Sequence, residues 1–327
     1  MKLPLTGIVP PVVTPLRGPD ELDLAGLERL IEHILEGGVS GLFILGTTGE
    51  GPSLSYRLRR KLVEQTCRQV RGRVPVLVGF TDTAFVESLS LARHAASAGA
   101  DALVLAPPYY LPAGQPELQE YLGHIIAELP LPLFLYNMPA LTKVQYELGV
   151  LQWALEQPRI IGLKDSSGNM NYFRQAAGLL KQRPDWTLLI GQEGLLAEAL
   201  DAGGHGGVSG GANVFPKLYV QLCEAVRAGD IPRSQQLQSQ ILLIGKSLYH
   251  IGRHPSAIIK GIKCALACLG VCDDFMAEPF HRFRATEHAL VQGHLPELMA
   301  GVEKLVGKYI PPALDRGTPQ PRAAIQA

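Results

Sequence analysis

The chain has 327 residues, with 30 Lys and Arg against 30 Asp and Glu, so its formal net charge is zero. That balance speaks against a dedicated nucleic-acid binder, which needs a basic surplus to displace counterions. A hydrophobic share of 46% beside 18% charged residues excludes a disordered chain, and five scattered cysteines do not make a disulfide scaffold.

In chain order, residues Met1 to Pro15 are broken by Pro4, Pro10 and Pro11 and hold no signal-peptide core. No apolar run reaches the roughly 18 residues of a membrane span. A cytoplasmic protein with no membrane or nucleic-acid partner is the expectation. Short runs rich in Val, Ile and Leu then recur at Gly7–Thr14, Gly41–Gly46, Val74–Phe80, Ala102–Ala106, Pro132–Tyr136, Ile160–Lys164, Thr187–Gly191 and Gly206–Val208. Most are apolar throughout, the pattern of parallel strands covered on both faces. Between them lie helical spacings. Leu24–Leu35 sets Leu24, Leu27, Leu30, Ile31, Ile34 and Leu35 on one face and stops at Gly37-Gly38. Ser55 is placed to cap a helix running to Gly72. Further helices are predicted at Ala84–Ala98, Pro116–Glu128, Glu147–Glu156, Tyr172–Lys181, Leu195–Ala202 and Pro216–Ala228. Eight such units predict an α/β protein, a (β/α)8 TIM barrel over residues 1–229. A doubly wound sheet is disfavoured because no Gly-x-Gly-x-x-Gly follows the first strand.

Beyond Gly229 the strands stop, and residues 230–307 are expected to form a C-terminal helical appendage. Its segments are Pro232–His250, His254–Leu269 and Pro279–Val306, the last with a break near Gly293-His294. The Pro-rich residues 308–327 are expected to be a loose tail. Cys264, Cys268 and Cys272 recur every four residues, a spacing that points to packing along a helix face, and no metal site is expected there.

In a barrel of this kind the chemistry sits at the C-terminal strand ends. Those ends read Gly46-Thr47-Thr48-Gly49-Glu50, Pro107-Pro108-Tyr109-Tyr110, Tyr136-Asn137-Met138-Pro139, Lys164-Asp165-Ser166-Ser167-Gly168 and Gly191-Gln192-Glu193. Lys164 closes an apolar run. An amine in an apolar barrel mouth has a lowered pKa and becomes a nucleophile toward carbonyls. Alone it reads equally well as a structural partner of Asp165 or Glu193. Tyr136, on the neighbouring strand, adds a phenol able to move protons at a substrate oxygen. Thr47 and Thr48 offer hydroxyls and amides to an anion, although threonines also serve as ordinary turn residues. Together these groups describe a pocket that holds an α-keto acid carboxylate beside an amine. The glycines of Gly203–Gly207 and Gly210-Gly211 could surround a phosphate, but room for bulky neighbours explains them first.

Through Gly46-Thr47-Thr48-Gly49-Glu50, Tyr136-Asn137-x-Pro139 and Lys164 in combination, the chain resembles the dihydrodipicolinate synthase/N-acetylneuraminate lyase family of pyruvate-dependent class I aldolases. The resemblance runs from residue 5 to about 305. It implies that Lys164 forms a Schiff base with pyruvate and that Tyr136 is the proton-transferring phenol. It implies that Thr47 links Tyr136 to Tyr110 of a neighbouring subunit, that Thr47 and Thr48 hold the pyruvate carboxylate, and that Val208 packs beside the imine. It also implies a homotetramer, a dimer of dimers, that acts on small molecules with no metal or organic cofactor.

The family's synthases carry an arginine shortly after the Tyr-Asn-x-Pro motif, where it holds the carboxylate of aspartate semialdehyde. This chain has Leu141 there, and Lys143 lies two residues on. Leucine offers a carboxylate nothing in place of the guanidinium fork. The sialic acid lyase pattern has two adjacent acids after strand seven, whereas here Glu193 precedes Gly194, and Gly210 stands where a serine is expected. Ser166, Gly191, Gln192 and Glu193 occupy the positions that meet substrate hydroxyls. The reading is therefore reversible cleavage of a 2-keto-3-deoxy sugar acid, or a related hydroxy-keto acid, to pyruvate and an aldehyde. The alternatives are 4-hydroxy-tetrahydrodipicolinate synthase, a keto-acid dehydratase and a non-catalytic binding protein.

Overall fold

The short apolar runs pair side by side in the computed structural model, which describes residues 1–252 and 254–308. The barrel strands are β1 (Gly7–Ile8), β2 (Leu42–Ile44), β3 (Val76–Gly79), β4 (Ala102–Leu105), β5 (Leu133–Asn137), β6 (Ile160–Asp165), β7 (Thr187–Ile190) and β8 (Gly206–Gly207). Each pairs in parallel with its sequence neighbour from β2 to β8, and β8 pairs in parallel with β1. The ring closes where Pro11, beyond β1, bridges to Phe43 in β2, with Phe43 N donating to Pro10 O at 2.9 Å. The eight helices that follow the strands are α1 (Leu24–Glu36), α2 (Tyr56–Val70), α3 (Phe85–Ser97), α4 (Gln115–Glu128), α5 (Leu148–Leu155), α6 (Met170–Leu179), α7 (Leu196–Asp201) and α8 (Pro216–Arg227). The molecule is a (β/α)8 barrel.

Side chains alternate along the strands as the pleat requires. Phe43, Leu77, Val104, Phe134, Leu189 and Val208 point into the barrel and pack on one another, with Tyr136 above them. Their neighbours Leu42, Ile44, Val78, Leu103 and Leu135 join the larger core beneath the helices. A bulge at the start of the β5–β6 ladder pairs Leu133 with Ile160 and Phe134 with Gly162. Gly162 has to be small: a Cβ there would stand 2.5 Å from the Phe134 ring.

The helix signals act as expected. Ser55 accepts from Leu58 N at 3.1 Å at the start of α2, and Asp23 accepts from Gly26 N at 3.1 Å at the start of α1. Leu24 departs from its predicted place, since it lies in the first turn and is exposed. The first strand is far shorter than Gly7–Thr14, because Pro10 and Pro11 have no N–H to give the ladder. A small antiparallel hairpin, Leu16–Gly18 with Glu21–Leu22, follows it and was not foreseen.

After α8 come α9 (Ile231–Leu248), α10 (Ala257–Cys268) and α11 (Ala285–Val306). The last helix begins six residues later than Pro279 and runs without the break expected near Gly293-His294. Gly293 is exposed, whereas Val291, Leu295, Leu298 and Val302 form a buried stripe that passes straight through it. Burying that stripe outweighs the roughly 1 kcal/mol that a helical glycine costs. Apart from Lys308, the predicted tail over 308–327 lies outside the described residues. Among the described residues, no helix is long and apolar enough to cross a membrane.

Candidate active site

Lys164 and Tyr136 are register partners at the ends of β6 and β5, so the strand ladder itself sets the amine beside the phenol. The Lys164 Nζ lies 3.9 Å from the centre of the Tyr136 ring and 4.9 Å from that of Phe43. Thr47 Oγ1 meets the Tyr136 hydroxyl at 3.2 Å. The carboxylates that could have neutralised Lys164 are committed elsewhere. Asp165 accepts from Asn137 Nδ2 at 2.8 Å and from Ser167 Oγ at 3.0 Å. Glu193 accepts from Gly211 N at 2.8 Å and from the hydroxyls of Tyr219 and Tyr249. Lys164 is left buried in an apolar, aromatic box without a salt bridge among the described residues.

Burial therefore lowers the Lys164 pKa below the usual lysine value, with the neighbouring phenol only partly opposing it. Burial alone would raise the Tyr136 phenol, but the Lys164 charge and hydrogen bonds with Thr47, Lys164 and Ser166 more than offset this and hold it below its ordinary value. The two shifts suit each other. A neutral amine can attack a carbonyl, and a more acidic phenol can lose and regain a proton.

The turn after β2 places Thr47 by force. Leu45 and Glu50, at φ 58° and 56°, bracket it in the left-handed region, a strain that residues with side chains adopt only where the surroundings compel it. Glu50 N donates to Thr47 O at 3.0 Å. The Glu50 carboxylate is fully buried and bonds Lys263 Nζ of α10 at 2.6 Å and Ala277 N at 2.8 Å. The helical appendage thus grips the threonine turn.

The structure brings Lys164, Tyr136, Thr47, Ser166 and Gly191 into one group, with Val208 in the apolar floor below. Gly191 leaves the space they share: a Cβ there would lie 2.0 Å from Ser166 Oγ and 3.3 Å from Lys164 Cε. Thr48 is half-buried, with its methyl toward Gly210. Two residues stand apart. Glu193, expected to meet substrate hydroxyls, spends its carboxylate on two phenols and a backbone amide. Tyr110 is 95% exposed, with φ 78°, and reaches no part of the site within its own chain.

A cavity of about 190 Å³ opens beside this group. Thr47, Tyr136, Arg59, Thr81, Tyr109 and Leu141 are among the residues that line it. Sequence reasoning missed Arg59, which carried no signal apart from its place on the inner face of α2. Its guanidinium is buried against Asp82 at 3.0 Å and also donates to Leu54 O and Pro52 O. Lys143 is exposed and bends to Ala140 O at 3.3 Å. Leu141 lines the cavity and Lys143 does not.

Comparison with known proteins gives the family. Residues 4–295 match the dihydrodipicolinate synthetase family. A structure of dihydrodipicolinate synthase from Bacteroides thetaiotaomicron is 50% identical with a TM-score of 0.89, covering 91% of this chain and 100% of that one. YagE from E. coli K12, a protein of the dihydrodipicolinic acid synthase family solved with pyruvate, is 30% identical with a TM-score of 0.85, covering 90% and 99%. A 4-hydroxy-tetrahydrodipicolinate synthase of Phenylobacterium zucineum is 32% identical over 82% of this chain and 88% of its own length. The chain belongs to the dihydrodipicolinate synthetase family, and it is a lyase-type enzyme, a class I aldolase.

Proposed function

We propose that this member of the family is a pyruvate-dependent lyase in which Lys164 forms the Schiff base. The observation that carries the reading is the buried, carboxylate-free Lys164 amine 3.9 Å from the centre of the Tyr136 ring. The amine attacks the keto carbon of a 2-keto-3-deoxy acid, and water leaves to give a protonated imine. Tyr136 takes the proton from the C4 hydroxyl, and the C3–C4 bond breaks. The electron pair moves into the iminium, so no free carbanion forms. An aldehyde departs, and reprotonation and hydrolysis release pyruvate. Thr47 and Thr48 hold the keto acid's carboxylate, Val208 packs beside the imine, and Ser166 and Gly191 face the substrate tail.

Tyr110 completes the proton path from a neighbouring copy in a tetramer. Its almost total exposure on a strained loop beside Leu111, itself 80% exposed, supports this, because adjoining exposed apolar side chains mark an interaction surface. Borohydride added with pyruvate should fix an adduct on Lys164. The Tyr110→Phe protein should still be trapped while its turnover falls, and light scattering should give the mass of a tetramer. An adduct on any other lysine, or none, refutes the Schiff-base assignment. A competent monomer refutes the shared site.

The substrate follows from the cavity lining. The carboxylate of aspartate semialdehyde would meet Leu141 and an Arg59 already neutralised by Asp82. A charge-assisted hydrogen bond is worth about 1.5–3 kcal/mol, roughly ten- to a hundred-fold. The enzyme should therefore cleave a 2-keto-3-deoxy sugar acid with a higher kcat/KM than it shows for condensing pyruvate with aspartate semialdehyde. Leu141→Arg should narrow that gap. The second reading, 4-hydroxy-tetrahydrodipicolinate synthase, is favoured by the names of the relatives. Efficient condensation of aspartate semialdehyde with no turnover of any sugar acid would establish it instead.

A further inference from the structure

The cysteine row of α10 does not end in packing. Cys264 and Cys268 lie one turn apart on α10 with their sulfurs within 4.8 Å of each other. The first turn of α11 brings His288 to them, its Nε2 3.7 Å from Cys268 Sγ. Among the described residues, these three donor atoms all lie within 4.8 Å of one another. A tetrahedral zinc ion with bonds of about 2.3 Å to sulfur and 2.0–2.1 Å to nitrogen would separate an S and an N donor by roughly 3.5 Å. The Cys268–His288 spacing is already close to that.

We propose that Cys264, Cys268 and His288 bind a thiophilic divalent cation of the zinc type, stapling α11 to α10. Two thiolates and an imidazole are the soft and borderline donors such an ion prefers over oxygen ligands. Binding releases the two thiol protons. Asp274, 8% exposed, acts through space on both thiols and on the imidazole but is not among the three clustered donors, so the fourth position is left to a water. Arg282 pairs with that carboxylate at 3.0 Å. Two thiolates by themselves neutralise a divalent ion. The site stands apart from Lys164 and does not depend on which substrate the barrel takes. It was hidden from spacing arguments because its histidine follows the second cysteine by 20 residues and only the packing of α11 brings it in.

The test uses the full-length protein, reduced and stripped with a chelator, with Co2+ and then Zn2+ as probes. One Co2+ per chain should bind with a thiolate charge-transfer band and the intense visible bands of tetrahedral cobalt. Zn2+ should displace it and raise the melting temperature. His288 is only half-buried, so His288→Ala should fold and weaken binding by about 100-fold or more, beyond the loss that an outer-shell partner causes. The Cys264→Ser/Cys268→Ser protein should lose the charge-transfer band. If that double variant does not fold, His288→Ala alone decides the matter. No cobalt binding to the reduced protein, or binding that His288→Ala leaves unchanged, would each overturn the proposal.

Discussion

Lys164→Ala should lower kcat/KM by roughly 10⁴–10⁶-fold, the scale seen when a covalent nucleophile is removed from an enzyme site. The side chain is both the bond-forming group and the electron sink, so no neighbour can stand in for it. Tyr136→Phe should cost about 10²–10⁴-fold, the usual worth of a positioned acid–base group, while the imine still forms with pyruvate. The pH profile carries the sign of the shifts. Because burial lowers the Lys164 pKa, the neutral amine is present at lower pH than for an ordinary lysine, and kcat/KM should rise on the acid side over a correspondingly lower range. Steady-state rates of pyruvate release across pH measure all three. A Lys164→Ala enzyme within about tenfold of the parent would sink the covalent mechanism.

Lys263→Met should be the most destabilising of the changes considered. It removes the cation from a fully buried pair and leaves the Glu50 carboxylate with the Ala277 N–H as a neutral donor. Removing one partner of a buried pair costs about 3–5 kcal/mol, a large part of the roughly 5–15 kcal/mol that holds a domain together. Denaturant unfolding would show the loss. Pairing it with Glu50→Gln should recover part of it, because no charge is then stranded. At temperatures where the single variant stays folded, its turnover should also fall, since Glu50 anchors the turn that carries Thr47. A variant with unchanged unfolding midpoint and unchanged rate would mean that the pair is incidental.

The barrel was legible because its signals are local. Each strand announces itself as a short apolar run, and each helix by a cap, a stripe or a glycine stop. Lys164, Tyr136 and Thr47 were legible for the same reason, since a strand end can be read without knowing what faces it. What stayed hidden depends on distant partners. Glu193 read as a substrate ligand because its partners Tyr219 and Tyr249 lie 26 and 56 residues away. Arg59 looked like one more helix residue until Asp82, 23 residues on, turned out to neutralise it at the cavity wall. Glu50 looked like the end of a turn motif, yet its cation comes from a helix 213 residues further along.

The seam of the barrel has a consequence for how the protein comes off the ribosome. β1 and its extension lie along β2, with Ser40 N donating to Ile8 O and Val12 N to Phe43 O, both at 2.8 Å, but their other side has no partner until β8 exists: Gly7 pairs with Gly206, and Val13 N donates to Asn213 Oδ1, 200 residues away. During synthesis the strands assemble in order as an open, curling sheet with two bare edges, the first segment at one and the newest strand at the other. Ring closure is therefore a late event by construction, because loop-closure entropy over so long a span has to be met before the seam's contacts can repay it. The nascent sheet, rather than the finished enzyme, is the form of this chain most exposed to edge-to-edge association.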